Sequence, residues 1–176
     1  SRLSITLRLL LLILVPVLAL VIVGIAALAS VGASSSAITA YSRTSQNVVD
    51  LRDLETELQV NLLGTVQQAA AGNIAWGQAL DSLRQSREIV ANTYPSAISS
   101  LSGLAPDVRD SLNDSVAVID RSYAQAEQAL ENINPDAVRT LLGSGFALRV
   151  NDTLALLSSA AERERQNADF ILSQTN

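Results

Sequence analysis

The chain has 176 residues, 12 arginines against 17 acidic residues, and no lysine, histidine, cysteine or methionine, for a formal charge of −5. Without cysteine there is no disulfide or thiol chemistry, and without histidine the commonest metal ligand and acid–base group is missing as well. The acid excess argues against a nucleic-acid partner and against a broad basic surface for anionic lipid, while two Phe, three Tyr and one Trp leave the core to aliphatic side chains.

Leu9 to Ala29 runs 21 residues without a charge. At a rise of 1.5 Å per residue, a helix of that length crosses a hydrocarbon core roughly 30 Å thick. Arg2 and Arg8 precede it and no positive charge follows until Arg43. Basic residues favour the cytoplasmic flank, so residues 1–8 are expected to form a cytoplasmic tail, 9–29 a transmembrane helix, and 30–176 a domain outside the cytoplasm. Ala27-Leu28-Ala29-Ser30 resembles the small-residue site of a secretory signal, but the apolar run exceeds the roughly 7–15 residues of a signal core. Pro16 is compatible with a kinked membrane helix.

Residues 30–46 are small and polar and contain no proline, so the helix can continue outward through them. From Asn47 the pattern sharpens: Leu51, Leu54, Leu58, Leu62, Val66 and Ala69 recur every three or four residues, the mark of one buried helical face. Gly72 is placed to end this first helix in a left-handed cap. A second helix is expected from Trp76 through Leu80, Leu83, Val90, Tyr94, Ile98 and Leu101, with Trp76 and Tyr94 in the core and a break or bend one turn before Pro95. Residues 102–107 form a turn with Pro106 in the first turn of a third helix, whose seam is Val108, Leu112, Val116, Ile119, Tyr123, Ala126, Leu130 and Ile133. Asn134-Pro135-Asp136 starts a fourth, carrying Val138, Leu142, Phe146, Val150, Leu154, Leu157, Ala161 and Ala168, with Asp136 as cap or first-turn acid. Gly143 and Gly145 suit a close approach of a neighbouring backbone. Two charged stretches, Asp50-Asp53-Glu55-Glu57 and Glu162-Arg163-Glu164-Arg165, read as solvated faces. No strand-like alternation appears. The fold class is therefore all-α: a transmembrane helix followed by an antiparallel up-down-up-down four-helix bundle, since short connections force neighbours to run antiparallel.

This layout of basic tail, apolar span, long helix, two shorter helices and a second long helix resembles the N-terminal sensing region of bacterial methyl-accepting chemotaxis receptors, over nearly the whole chain. The resemblance implies a homodimer in the inner membrane with its sensor domain on the periplasmic side. It implies that the first helix packs on its partner copy, that a small molecule binds at the distal dimer interface, and that a displacement of the fourth helix carries the signal to a cytoplasmic domain. A second span and a cytoplasmic region are then expected to follow Asn176. Histidine kinases and diguanylate cyclases carry the same kind of sensor, and a non-sensing membrane-anchored helical scaffold fits the pattern too.

The heptad positions Asn47, Leu51, Leu54, Leu58, Asn61, Thr65 and Gln68 turn from leucine to polar in their upper half. Asn61, Thr65 and Gln68 are thus candidate ligand-binding residues; the alternative is that they face water beside a seam carried by Leu62, Val66 and Ala69. Counting turns, Arg84, Arg87 and Arg139 fall level with them, and guanidinium groups grip carboxylates bidentately, which suits an organic acid or amino acid ligand. Receptors of the family for amino acids carry arginines on the distal third of the first helix, and this chain has none between Arg52 and Arg84. No catalytic constellation, metal-ligand spacing or phosphate-binding loop appears, so no enzymatic activity and no cofactor are expected.

Overall fold

The computed structural model describes residues 38–101 and 103–173. The tail 1–8 and the expected membrane segment 9–29 lie outside them, and among the described residues no helix is long and apolar enough to cross a membrane. Their regular structure is helical throughout, without a strand. Four helices follow one another: α1 (38–70), α2 (Trp76–Ser100), α3 (Pro106–Glu131) and α4 (135–173).

The face that α1 buries is the one its periodicity predicts, with Leu51, Leu54, Leu58, Leu62, Val66 and Ala69 each no more than 2 % exposed. Leu54, Leu58, Leu62 and Val66 are spaced by four, which an α-helix of 3.6 residues per turn would rotate steadily off the core. The helix absorbs the mismatch by widening to π turns over Glu57–Gly64 before resuming as α over Thr65–Ala70. It ends as the glycine foretells: Gly72 has φ +74°, its N–H bonds the Ala69 carbonyl at 3.0 Å, and the Asn73 N–H bonds that of Gln68 at 2.9 Å.

On α2, Ala79, Leu83, Val90, Tyr94 and Ile98 are buried, while Trp76 packs half-buried at the edge of the core. The expected break before Pro95 does not occur, and the helix runs on to Ser100. Pro95 and Ala91, whose carbonyl loses its partner, both lie on the exposed side, and the burial of Tyr94, Ala97 and Ile98 holds the last turns in place. Pro106 opens α3, which buries Leu112, Ile119, Tyr123, Ala126 and Leu130. Ile133, expected to close that seam, instead sits in the following turn at φ +46° and is 68 % exposed.

Asn134 caps α4 by accepting the Asp136 N–H at 3.0 Å, leaving Asp136 as the first-turn acid. Within the π-turn stretch Leu142–Phe146 the helix kinks at Ser144 (φ −87°, ψ 17°) and Gly145 (φ 80°, ψ 8°), the second a conformation glycine adopts without strain. The expected close approach at Gly143 is not made, for nothing lies within 4 Å of where a side chain would begin. Beyond the kink, Val150, Thr153, Leu157, Ala160, Ala161, Glu164 and Ala168 form the buried face. Glu164 is only 1 % exposed, so the charged block is not solvated throughout; Glu162 and Arg165 alone keep the outward i,i+3 pair, at 3.0 Å.

Side-chain bonds tie the helices at matching levels. Asn47 on α1 donates to the Ser100 carbonyl on α2 at 3.1 Å, and Ser86 on α2 donates to Glu57 on α1 at 2.6 Å. Arg84 reaches Glu131, whereas Tyr94 reaches Ser115. Arg149 on α4 donates to Gln125 on α3, and Glu164 accepts the Gly103 N–H just before α3. In each pair, rising residue numbers on one helix meet falling numbers on its neighbour. Truncating Leu62, fully buried in this core, is expected to cost about 2–5 kcal/mol. Denaturant unfolding of Leu62→Ala checks this, and a loss below about 1 kcal/mol contradicts the packing.

Candidate functional site

Two of the candidate arginines lie one turn apart on α2 and face α3. Arg87 donates through Nε (3.0 Å) and Nη2 (2.8 Å) to Asp120 Oδ1 and through Nη1 (3.1 Å) to Glu127 Oε2. The hydrogen bond to Asp120, reinforced by the charge of Glu127, raises the Arg87 pKa further above its ordinary value. Arg84 meets Glu131 at 2.6 Å with both side chains about half exposed, an ion pair of the kind worth about 0–1 kcal/mol. Inward of Arg87 lies a crevice of about 150 Å³ floored by Val90, Val116 and Ile119 and closed by Tyr94 and Tyr123. A carboxylate entering there must compete with two carboxylates for one guanidinium. A neutral or apolar group meets no such obstacle.

Behind the crevice runs a buried polar layer. Ser86, 2 % exposed, has a single proton and gives it to Glu57 Oε2; Tyr123, fully buried, then donates to Ser86 Oγ at 2.7 Å. Asn61 adds a second bond to the same Glu57 oxygen, at 2.8 Å. About two helical turns away, Ser115 donates to the Leu112 carbonyl, so Tyr94 is the donor in its 2.6 Å bond to Ser115. Burial raises the Tyr94 phenol to about 12 against the opposing pull of the Ser115 bond, and raises Tyr123 in the same direction. Both phenols are therefore neutral donors at physiological pH.

The other candidates fall elsewhere. Thr65 is buried and Gln68 exposed, while Asn61 sits half-buried beside Glu57. Leu62, Val66 and Ala69 carry the seam between them. Arg139 is 67 % exposed on α4 and pairs with Asp136 one turn before it, at 3.3 Å. Thus Arg84 and Arg87 share one face, Asn61 joins the polar layer behind it, and each arginine already has an acid partner. Sequence reasoning missed Ser86, although a serine between Leu83 and Val90 on the apolar stripe of α2 is a visible signal. It also placed Glu57 on a solvated face, where the structure ties it to Ser86.

No family model, curated protein or solved structure matches the chain. Among the described residues no cluster of three or more acidic side chains is placed to hold a metal ion. The side chains themselves are then the guide to what the molecule binds.

The buried phenols give the fold an alkaline limit. In the unfolded chain they ionise near pH 10, roughly their unperturbed value. Above that pH the unfolded state sheds protons that the folded state keeps, so stability is full below about pH 10 and falls as pH rises toward 12. Tyr94→Phe is expected to cost about 1–2 kcal/mol at neutral pH and to flatten this alkaline loss. Urea titrations at pH 8 and pH 11 measure both, and an unchanged alkaline slope contradicts the assignment.

Proposed function

We propose that this chain is the ligand-sensing region of a bacterial transmembrane chemoreceptor. In this reading 9–29 spans the inner membrane, and α1–α4 form an antiparallel up-down-up-down four-helix bundle on the periplasmic side. The bundle binds a small molecule and passes a helix displacement toward the cytoplasm.

The observation that carries this reading is the set of ties at one end of the molecule. The Asn47–Ser100 bond holds the start of α1 to the end of α2, and Glu164, with Asn167 3.6 Å from the position of a Gly103 side chain, holds the last turns of α4 to the same connection. The helix that follows the apolar segment and the helix that closes the chain thus lie beside one connection, the geometry in which a shift of α4 is delivered at the membrane. Below Leu157, α4 packs through Ala160, Ala161 and Ala168. Such a face interlocks less deeply than a leucine face and favours small sliding motions of packed helices.

A second copy fits the exposed side of α1. Ile38, Val49 and Val60 are 69 %, 50 % and 54 % exposed and stand 11 residues apart. Along the α-helical stretch, three turns bring Ile38 and Val49 back to within about 20° of one line, and Val60 follows in the π turns, so these exposed apolar side chains offer a surface suited to a homodimer.

A ligand that binds only the folded form raises the melting temperature with concentration, by an amount set by [L]/Kd. The full chain in detergent, melted against amino acids, organic acids and sugars, is expected to respond to at least one class. A flat response across the panel from a folded protein contradicts the sensor reading.

A further inference from the structure

At the end of the molecule away from Asn47, the last turns of α3 and the first turns of α4 face each other across an open cleft of about 310 Å³. On α3 the facing positions are Gln125, Gln128, Ala129 and Asn132; on α4 they are Ala137, Thr140, Leu141 and Ser144. Both sets follow the spacing i, i+3, i+4, i+7, the stripe through which two helices ordinarily interlock apolar side chains. Here most of those places carry amides and hydroxyls, and no charged side chain lines the cleft.

Several of these groups are oriented before any ligand arrives. Arg149 Nη2 donates at 3.1 Å to the Gln125 side-chain oxygen, which leaves the Gln125 NH2 as a donor. Asn132 gives its NH2 to the Gln128 carbonyl at 2.9 Å, which leaves its own oxygen as an acceptor. Ser144 gives its proton to the Leu141 carbonyl at 2.7 Å and keeps its oxygen's acceptor capacity. Arg149 also reaches the Ser144 carbonyl at 3.4 Å, bracing the kink at Ser144–Gly145 that shapes the wall. π turns and kinks of this kind recur at functional sites.

We propose that this cleft binds a neutral, hydroxyl-rich small molecule, a monosaccharide or cyclic polyol. Alternating amide donors and acceptors match hydroxyl groups, which both give and take hydrogen bonds. Ala129, Ala137 and Leu141 offer a floor for the apolar C–H face of a ring. Carboxylates are disfavoured, because no arginine lines the cleft and Arg149 beside it is engaged by Gln125 and the kink. The volume lies at the small end of ligand sites, which suits one ring rather than a chain of them. The cleft's chemistry stands on its own geometry, while its consequence for signalling rests on the sensor reading above.

The test is calorimetric titration of the full chain in detergent with glucose, galactose, ribose and myo-inositol, with glutamate and succinate as charged controls. At least one neutral probe is expected to bind. Gln128→Ala and Thr140→Val change exposed side chains and leave the core intact, as unchanged melting temperatures will verify. Each is expected to weaken binding about tenfold, the loss of one well-made hydrogen bond. Absence of binding by every neutral probe overturns the proposal, as does binding that both variants leave unchanged. A response to glutamate or succinate alone, untouched by the two variants, overturns the cleft and leaves the sensor reading standing.

Discussion

One buried hydroxyl group joins three of the four helices. Ser86 lies on the buried stripe of α2, and its Oγ is bonded to both α1 and α3: it gives its proton to Glu57 and receives one from Tyr123. The direction follows because the serine's one proton goes to the carboxylate oxygen, so the phenol must donate to the serine. A buried layer of this kind is costly when half satisfied and specifying when complete. It fixes both the level and the rotation of α1, which aliphatic packing alone leaves loosely set. The layer also falls where α1 changes from α to π turns, so the point at which the helix alters its winding is the point at which it is tied down.

From that layer the molecule divides into two ends of different character. Toward Asn47 the helices are held by short polar clasps at the helix termini and by the small-residue face of α4, with Glu164 buried against the connection before α3. Toward the other end, α1 contributes Leu58, Leu62 and Val66 to the core, while α4 kinks at Ser144–Gly145 beside an open, uncharged cleft. With the proposed site at one end, a pinned layer in the middle and a small-residue helix face at the other, binding would bias the position of α4. A ligand has this effect only to the extent that it prefers one helix arrangement over the other.

Much of the helix pattern was legible from spacing and punctuation. Leu51 to Ala69 declared the buried face of α1, Gly72 its end, Pro106 the start of α3, and Asn134-Pro135-Asp136 the start of α4. Local chemistry decides such features, so local sequence reveals them. Pro95 does not break α2, because a proline breaks a helix only where neighbouring burial does not outweigh one missing hydrogen bond. Glu164 and Glu57 misled for a related reason: a carboxylate on a charged stretch reads as solvated until a partner from another helix is known. The arginines show the limit most plainly. Their type suggested carboxylate ligands, but whether Asp120, Glu127, Glu131 and Asp136 already answer them is a tertiary fact. Gln125 and Gln128 drew no notice because amides on a helix are ordinary until a second polar stripe is set opposite.

The central claim is that occupancy of the bundle moves α4, and the absence of native cysteine makes that claim directly measurable. Ile89 on α2 and Phe170 on α4 are both exposed and, by the order of the ties between helices, lie at different levels of the molecule. Spin labels on Ile89→Cys and Phe170→Cys in the full chain report their separation by pulsed electron resonance, with and without a saturating ligand that raises the melting temperature. The account predicts a shift in the mean distance on the order of 1–2 Å, the scale of helix shifts in known switches. Superimposable distance distributions at full occupancy contradict it.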